Sequence, residues 1–374
     1  MCSGAALHAR VQQVVYGASE PKTGAAGSVL NVFDLPSINH QTQVLRGVLA
    51  DECSAQIAAF FQGRRKAHKA ATPHPLKDTA LRNPDAAFEG LPDWPWRSHY
   101  ISDLPSGHGL RLACVDEGSR DAARTWLCMH GWGSWGYAFR HLLPTWLAAG
   151  DRVVVLDMPG MGRSDQPKRP KQYALEWLVQ VISEWVQNLD VQGAVLVGQG
   201  AGAHIGAAVA EKMPERFTGA WLHDAWPSAE LPAQWQTWLQ TAGRKPQWPV
   251  GAELQRAWGM APHPEAQQAF DAPFAQAGHR AALQAAMSMQ AQLPQLPSAL
   301  LQKWMEQQCC WMTKAPDSVA QQPVLQETVW REAWGEALPV LQQHTDILRC
   351  NPDMNWGAPS AANGAQQAVE YFQP

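Results

Sequence analysis

The chain has 374 residues, 46% of them hydrophobic and 17% charged, with a formal net charge of −4 at pH 7. That length suggests two domains, and the apolar share is enough for a sizeable core. The balance of charge excludes a polycation that would hold nucleic acid along its whole length.

The charge is uneven, with +3 on residues 1–75 and −7 on the rest. Seven cysteines lack any C-x-x-C pair and no secretory pattern precedes them, which predicts a reduced, cytoplasmic chain. The longest uncharged run, Gly193 to Ala210, is rich in Gly and Ala. It reads as strand, turn and helix rather than as a membrane span, and no membrane partner is expected.

In chain order, residues 7–13 read as the end of a helix and Val14 to Tyr16 as a short strand stopping at Gly17. Thr23 to Ser28 is a Gly-rich turn. Asp51 begins an amphipathic helix with Cys53, Ile57, Phe60 and Phe61 on one face, closed by Arg64, Arg65 and Lys66. Residues 71–97 hold five prolines without a period and read as a linker lying over a surface. Apolar strands are then expected at Trp126–Met129, Arg152–Leu156, Ala194–Val197 and Gly219–Leu222, with a helix from Ala174 to about Leu189. Short apolar strands alternating with helices predict a mostly parallel sheet covered on both faces. Residues about 228–305 carry no strand signal and read as a helical cap over the sheet's C-terminal edge. Further units are expected at Cys309–Thr313, Asp346–Arg349 and about 361–372.

An ordered series marks residues 1–70: Met1-Cys-Ser-Gly-Ala-Ala-Leu-His-Ala-Arg10, Val15-Tyr-Gly-Ala18, Lys22-Thr-Gly-Ala-Ala-Gly-Ser28, Asn39-His40 and Gly47-Val-Leu-Ala-Asp-Glu-Cys53. It resembles the C-terminal half of bacterial tRNA-specific adenosine deaminases of the cytidine deaminase-like fold. The resemblance implies that Lys22, Thr23, Asn39, Arg64 and Arg65 lie near RNA. It also makes Cys2 the last zinc ligand of an H-x-E…P-C-x-x-C signature whose other members are not in the chain. One ligand cannot hold a tetrahedral zinc. No cofactor is therefore expected for the chain as given, with zinc, a tRNA partner and a homodimer reserved for a longer protein in which Met1 is a secondary start.

A second set of motifs covers most of Ser98–Pro374: His130-Gly-Trp-Gly-Ser-Trp135, Asp157-Met-Pro-Gly-Met-Gly-Arg-Ser-Asp165, Val197-Gly-Gln-Gly-Ala-Gly202 and Pro214-Glu-Arg-Phe217. This set resembles the α/β-hydrolase superfamily, in its haloalkane dehalogenase-like branch. That chemistry needs a nucleophile on a tight turn between flanking glycines, here Gly198 and Gly202. The resemblance places Gly200 at the nucleophile, Ala201 where a halide-binding Trp would follow, and Asn355 at the catalytic His. Asp224 or Asp317 falls at the acid position, and the backbone N–H groups of Trp132 and Ala201 at the oxyanion pocket. A cap rich in tryptophan (Trp235, Trp238, Trp248, Trp258, Trp304) either holds a small apolar ligand or fills its own core. His204, one turn past Gly200, is a possible substitute base, although a buried helix histidine is the plainer reading.

The fold class expected is α/β, an α/β-hydrolase domain at 98–374 preceded by a partial deaminase-like segment at 1–70. Three functions compete. The first is the downstream part of a tRNA adenosine deaminase fusion, inactive as given; the second is an active α/β-hydrolase with non-standard catalytic residues; the third is a ligand-binding or assembly pseudoenzyme.

Overall fold

The computed structural model describes residues 2–71, 74–225, 233–245, 247–257, 263–294, 296, 299–307 and 310–313, with 365, 366, 368, 369 and 372. It divides into two compact units, Met1–Pro73 and His74–Pro374.

The first unit contains α1 (Cys2–His8), β1 (Gln13–Tyr16), β2 (Gln43–Arg46) and α2 (Ala50–Ala71). β1 and β2 pair in parallel, with Gln13 opposite Gln43 and Tyr16 opposite Arg46. The hydroxyl of Thr42 donates to the Val11 carbonyl at 3.0 Å, and that of Tyr16 to the Ala26 carbonyl at 2.9 Å. Gly17 closes β1 because a side chain there would meet Cys53, whose Sγ lies 2.5 Å from the built Cβ. The helix expected to end near Lys66 runs on to Ala71, since the basic residues carry the good helix propensity of Arg and Lys and no breaker follows them.

The second unit opens with β3 (Ala80–Leu81), β4 (His99–Ile101), β5 (Leu112–Glu117), β6 (Thr125–Met129), α3 (Leu143–Ala148), β7 (Arg152–Asp157) and β8 (Gln166–Pro167). It continues with α4 (Leu175–Asn188), β9 (Ala194–Gln199), α5 (Ala201–Lys212) and β10 (Phe217–His223). Then come α6 (Ala233–Arg244), α7 (Val250–Ala257), α8 (Pro264–Asp271), α9 (Ala281–Gln290), α10 (Ala299–Glu306) and β11 (Cys310–Thr313). Among the described residues seven strands form one sheet in the order β11-β10-β9-β6-β7-β5-β4. β11, β10, β9, β6 and β7 run parallel to one another; β5 pairs antiparallel with β7, and β4 antiparallel with β5. The sheet is therefore mixed. β4 and β5 were not legible in the sequence, because strand signals there are diluted by polar residues such as Asp116 and Glu117.

The apolar strands are buried throughout, β7 and β9 over their whole length. A layer of tryptophans covers one end of the sheet. Trp126 stacks on Trp146 at 4.5 Å, and Trp221 meets Trp146 edge-on at 6.1 Å. The indole N–H of Trp126 donates to Asp151 at 2.7 Å, and Arg124 holds the same carboxylate. α4 buries Leu178, Ile182, Trp185 and Val186, a stripe at helical spacing.

Residues 74–97, read as a linker from their prolines, are packed instead. Ala80, Phe88 and Trp94 join the core, and β3 pairs antiparallel with β8. Arg82 grips Asp165 through two nitrogens at 2.7 and 2.9 Å. Proline content marks lost helix and ladder donors, but it does not report these long-range contacts.

Candidate active site

Three neighbouring strands, β6, β9 and β10, end side by side at the C-terminal edge of the sheet, and each delivers a segment to one site. β9 ends at Gln199 and α5 begins at Ala201, so Gly200 alone makes the turn, with φ +52° and ψ −122°. An L-residue side chain is disfavoured there. The flanking glycines answer a different need. A Cβ on Gly202 would lie 2.3 Å from the Met129 carbonyl oxygen, and one on Gly198 would lie 2.4 Å from the Cα of Ala203. At Gly200 itself a Cβ meets nothing within 4 Å among the described residues. The elbow is thus built as for a nucleophile, and no described residue fills the space for its side chain.

β6 leads into His130-Gly131-Trp132. His130 is fully buried and its two ring nitrogens are engaged: Nδ1 with the Gly131 carbonyl at 2.9 Å, and Nε2 as acceptor for the Met158 N–H at 3.0 Å. Burial pushes its pKa down to about 4. It is a clamp between β6 and β7 rather than a base. Asp157 braces the same turn by accepting from the Gly136 and Arg163 N–H groups at 2.8 and 2.9 Å, and burial raises its pKa to about 6. Gly131 brings the turn against the elbow, its built Cβ lying 3.9 Å from the Ala201 nitrogen. Trp132 follows Gly131 on that turn.

Cap helices close over this turn. The indole of Trp132 donates to Gln290 Oε1 on α9 at 2.9 Å, and that of Trp135 to the Ala269 carbonyl on α8 at 2.9 Å. Trp238 on α6 packs against Gly133. Trp238 meets Trp235 at 5.8 Å and Trp248 at 5.5 Å, ring to ring. Trp304 is buried on α10, and Trp258 lies outside the described residues.

His204 is buried on α5 with Nδ1 against the Pro294 carbonyl at 2.9 Å, the plainer of its two readings. Asp224 follows β10 in a left-handed conformation, φ +49°. Its Oδ2 lies 3.6 Å from Nε2 of His223, which is itself 1% exposed. Burial lowers the His223 pKa, although the Asp224 charge opposes the shift. The carbonyl of His223 accepts from the Gly200 N–H at 2.8 Å. Sequence reasoning singled out Asp224 and passed over His223; a His-Asp pair directly after an apolar strand was the available signal. Asn355 and Asp317 lie outside the described residues.

In the first unit, Lys22, Thr23 and Asn39 are exposed, and the Lys22 backbone N–H donates to Glu20 at 2.7 Å. Arg64 and Arg65 are on α2, with side chains outside the described residues. Cys2 is an exposed free thiol on α1. Among the described residues no three His, Cys, Asp or Glu gather as a metal site, and no helix is long and apolar enough to cross a membrane.

The comparisons with known proteins agree with this geometry. A family model described as the alpha/beta hydrolase fold matches residues 127–257. A haloalkane dehalogenase of Psychrobacter cryohalolentis is 32% identical over 198 residues, 52% of this chain and 65% of that protein. One of Mycolicibacterium paratuberculosis is 31% identical over 209 residues, 54% of this chain and 69% of that protein. The solved haloalkane dehalogenase of Paraglaciecola agarilytica superposes with a TM-score of 0.60 at 23% identity, covering 80% of this chain and 99% of that one. These relatives overturn the expectation that the chain is the inactive downstream part of a tRNA adenosine deaminase fusion, with the zinc and pseudoenzyme readings attached to it. They favour the active hydrolase.

Proposed function

The chain belongs to the haloalkane dehalogenase-like α/β hydrolases, and we propose that it is an active hydrolase with non-standard catalytic residues, cleaving a small, largely apolar substrate by direct attack of water. Such a hydrolase needs no cofactor. The observation that carries the reading is the buried His223–Asp224 pair at the end of the strand beside the elbow, whose space no described residue fills.

Gly200 has no side chain to form a covalent intermediate, so the attacking oxygen must be that of water. In this reading His223 takes the water's proton. Its lowered pKa keeps the ring neutral, as a base must be, and Asp224 stabilises the imidazolium that forms. The backbone N–H groups of Trp132 and Ala201 face the oxygen on which charge develops, and α5 adds the positive end of its dipole. Asp224 is the acid favoured over Asp317, because it already sits against a histidine.

The test is turnover of short-chain nitrophenyl esters and of chloro- and bromoalkanes by the purified chain. Saturable hydrolysis is expected, with His223→Gln lowering kcat by about 10²–10⁴-fold and Asp224→Asn by less. Equal rates in the wild type and His223→Gln would overturn the assignment.

A further inference from the structure

Gln199, the residue immediately before the elbow, carries an acceptor that the fold does not use. It is 3% exposed, and its side-chain oxygen Oε1 has no hydrogen-bond partner among the described residues. A buried acceptor in this state costs stability that an apolar side chain of the same size would not.

Strand register places the side chain. Gln199 is the direct partner of His223 across the parallel pair β9 and β10, so the two side chains stand as neighbours on one face of the sheet. Alternation along β9 says which face. A Cβ built on Gly198 would lie 2.4 Å from the Cα of Ala203 on α5, so Gln199, one residue on, points away from α5. Trp221, two residues before His223, shares that face and meets Trp146 of α3 at 6.1 Å. The turn after β6 reaches the same level, a Cβ built on Gly131 lying 3.1 Å from the backbone carbonyl oxygen of Gln199. Gln199 and His223 are thus side by side at the C-terminal edge, and yet Oε1 accepts nothing from the imidazole. Two polar groups so placed suit a water between them, which serves nearly as well as a direct hydrogen bond.

We propose that Gln199 is a catalytic residue of the hydrolysis, its Oε1 accepting one hydrogen of the attacking water while His223 takes the other as a proton. This rests on the reading of an active hydrolase and deepens it by naming the second group that holds the water. With both hydrogens directed to fixed acceptors, the oxygen's electron pair is left to face the electrophilic carbon. In the step, the O–H bond turned to His223 breaks and its proton passes to the ring, while the oxygen's electron pair forms the bond to an ester carbon. The carbonyl π pair moves onto its own oxygen. It then returns as the alkoxide leaves with the pair of the C–O bond and takes the proton from His223. Gln199 exchanges no proton.

The experiment is steady-state hydrolysis of nitrophenyl acetate by the full chain and its Gln199→Met and Gln199→Glu variants, with thermal melting of each. Gln199→Met keeps the size and removes the acceptor, so kcat should fall about 10²-fold with KM little changed. Its melting temperature should stay level or rise, because an unpartnered buried oxygen is gone. Gln199→Glu keeps an accepting oxygen, charged or neutral, and should recover most of kcat. Gln199→Met as fast as the wild type, Gln199→Met that melts lower or does not fold, or Gln199→Glu no faster than Gln199→Met would each overturn the assignment and leave the hydrolytic reading standing. A wild type without saturable turnover would overturn both.

Discussion

The backbone N–H of Gly200 donates to the carbonyl of His223 at 2.8 Å. The bond ties the elbow to the end of the neighbouring strand, so any movement of His223 is felt at Gly200. It also means that the residue without a side chain is held in place by the residue that carries an imidazole.

Gly200 and Gly202 should respond unequally, and for different reasons, to a single methyl group. Gly200→Ala meets no atom of the described residues but must hold φ +52°, a strain of about 1–3 kcal/mol. Gly202→Ala drives a Cβ against two backbone carbonyls, those of Met129 and His130, at 2.3 and 2.5 Å. Backbone cannot step aside as a side chain can, so that loss should be the larger, at or beyond the upper end of about 1–3 kcal/mol for overpacking. Urea unfolding of the two variants tests the order; equal midpoints would contradict it.

Asp165 is fully buried and accepts from Arg82 through two nitrogens and from the Arg111 N–H at 2.9 Å. Asp165→Asn leaves the Arg82 guanidinium without its charge partner. Breaking such a pair by removing one member costs about 3–5 kcal/mol. The melting temperature should drop accordingly, and an unchanged value would show that residues 74–97 are held chiefly by apolar contacts.

Acid should destabilise the fold through His130. Its folded pKa of about 4 lies below the unfolded value of 6.5, so the unfolded chain binds the proton more readily. The contribution is complete above pH 6.5 and is lost as pH falls toward 4, about 3 kcal/mol in all. Asp157 acts in the opposite sense. Its pKa is raised from 3.8 to about 6, so its contribution is present at low pH and lost as pH rises through 6. The two windows overlap and their contributions largely offset each other, so relative to the wild type His130→Gln should lose less stability, or gain it, as pH falls from 6.5 to 4. Identical slopes in the two proteins would rule out His130 as the source.

The same reasoning applies to activity. Burial lowers the His223 pKa, so the acid limb of the kcat/KM profile should lie below 6.5, the ordinary value for histidine. Asp224→Asn removes the charge that opposes the shift and should move the limb lower still. A limb above 6.5 would point to a different base.

The sequence by itself determined the parallel strands of the second unit's sheet and the glycine turn at their edge. The strands at Trp126, Arg152, Ala194 and Gly219 are short apolar runs, and a run buried on both faces is visible residue by residue. The turn at Gly200 was equally legible, because three glycines at fixed spacing answer purely local needs of backbone conformation and close approach. Tertiary structure alone decided the rest. The prolines of residues 74–97 reported where helix could not form, but not that Arg82 would reach Asp165, 83 positions away. β4 and β5 needed an existing edge to pair with, and their polar residues hid them until β7 supplied it. His223 drew no notice as a lone histidine in the chain. It became a candidate base only when strand register set it beside Gln199, and burial and the Asp224 carboxylate then fixed its charge. Local conformation is written in a few neighbouring residues, whereas dielectric and charge environment depend on groups that only the folded chain brings together.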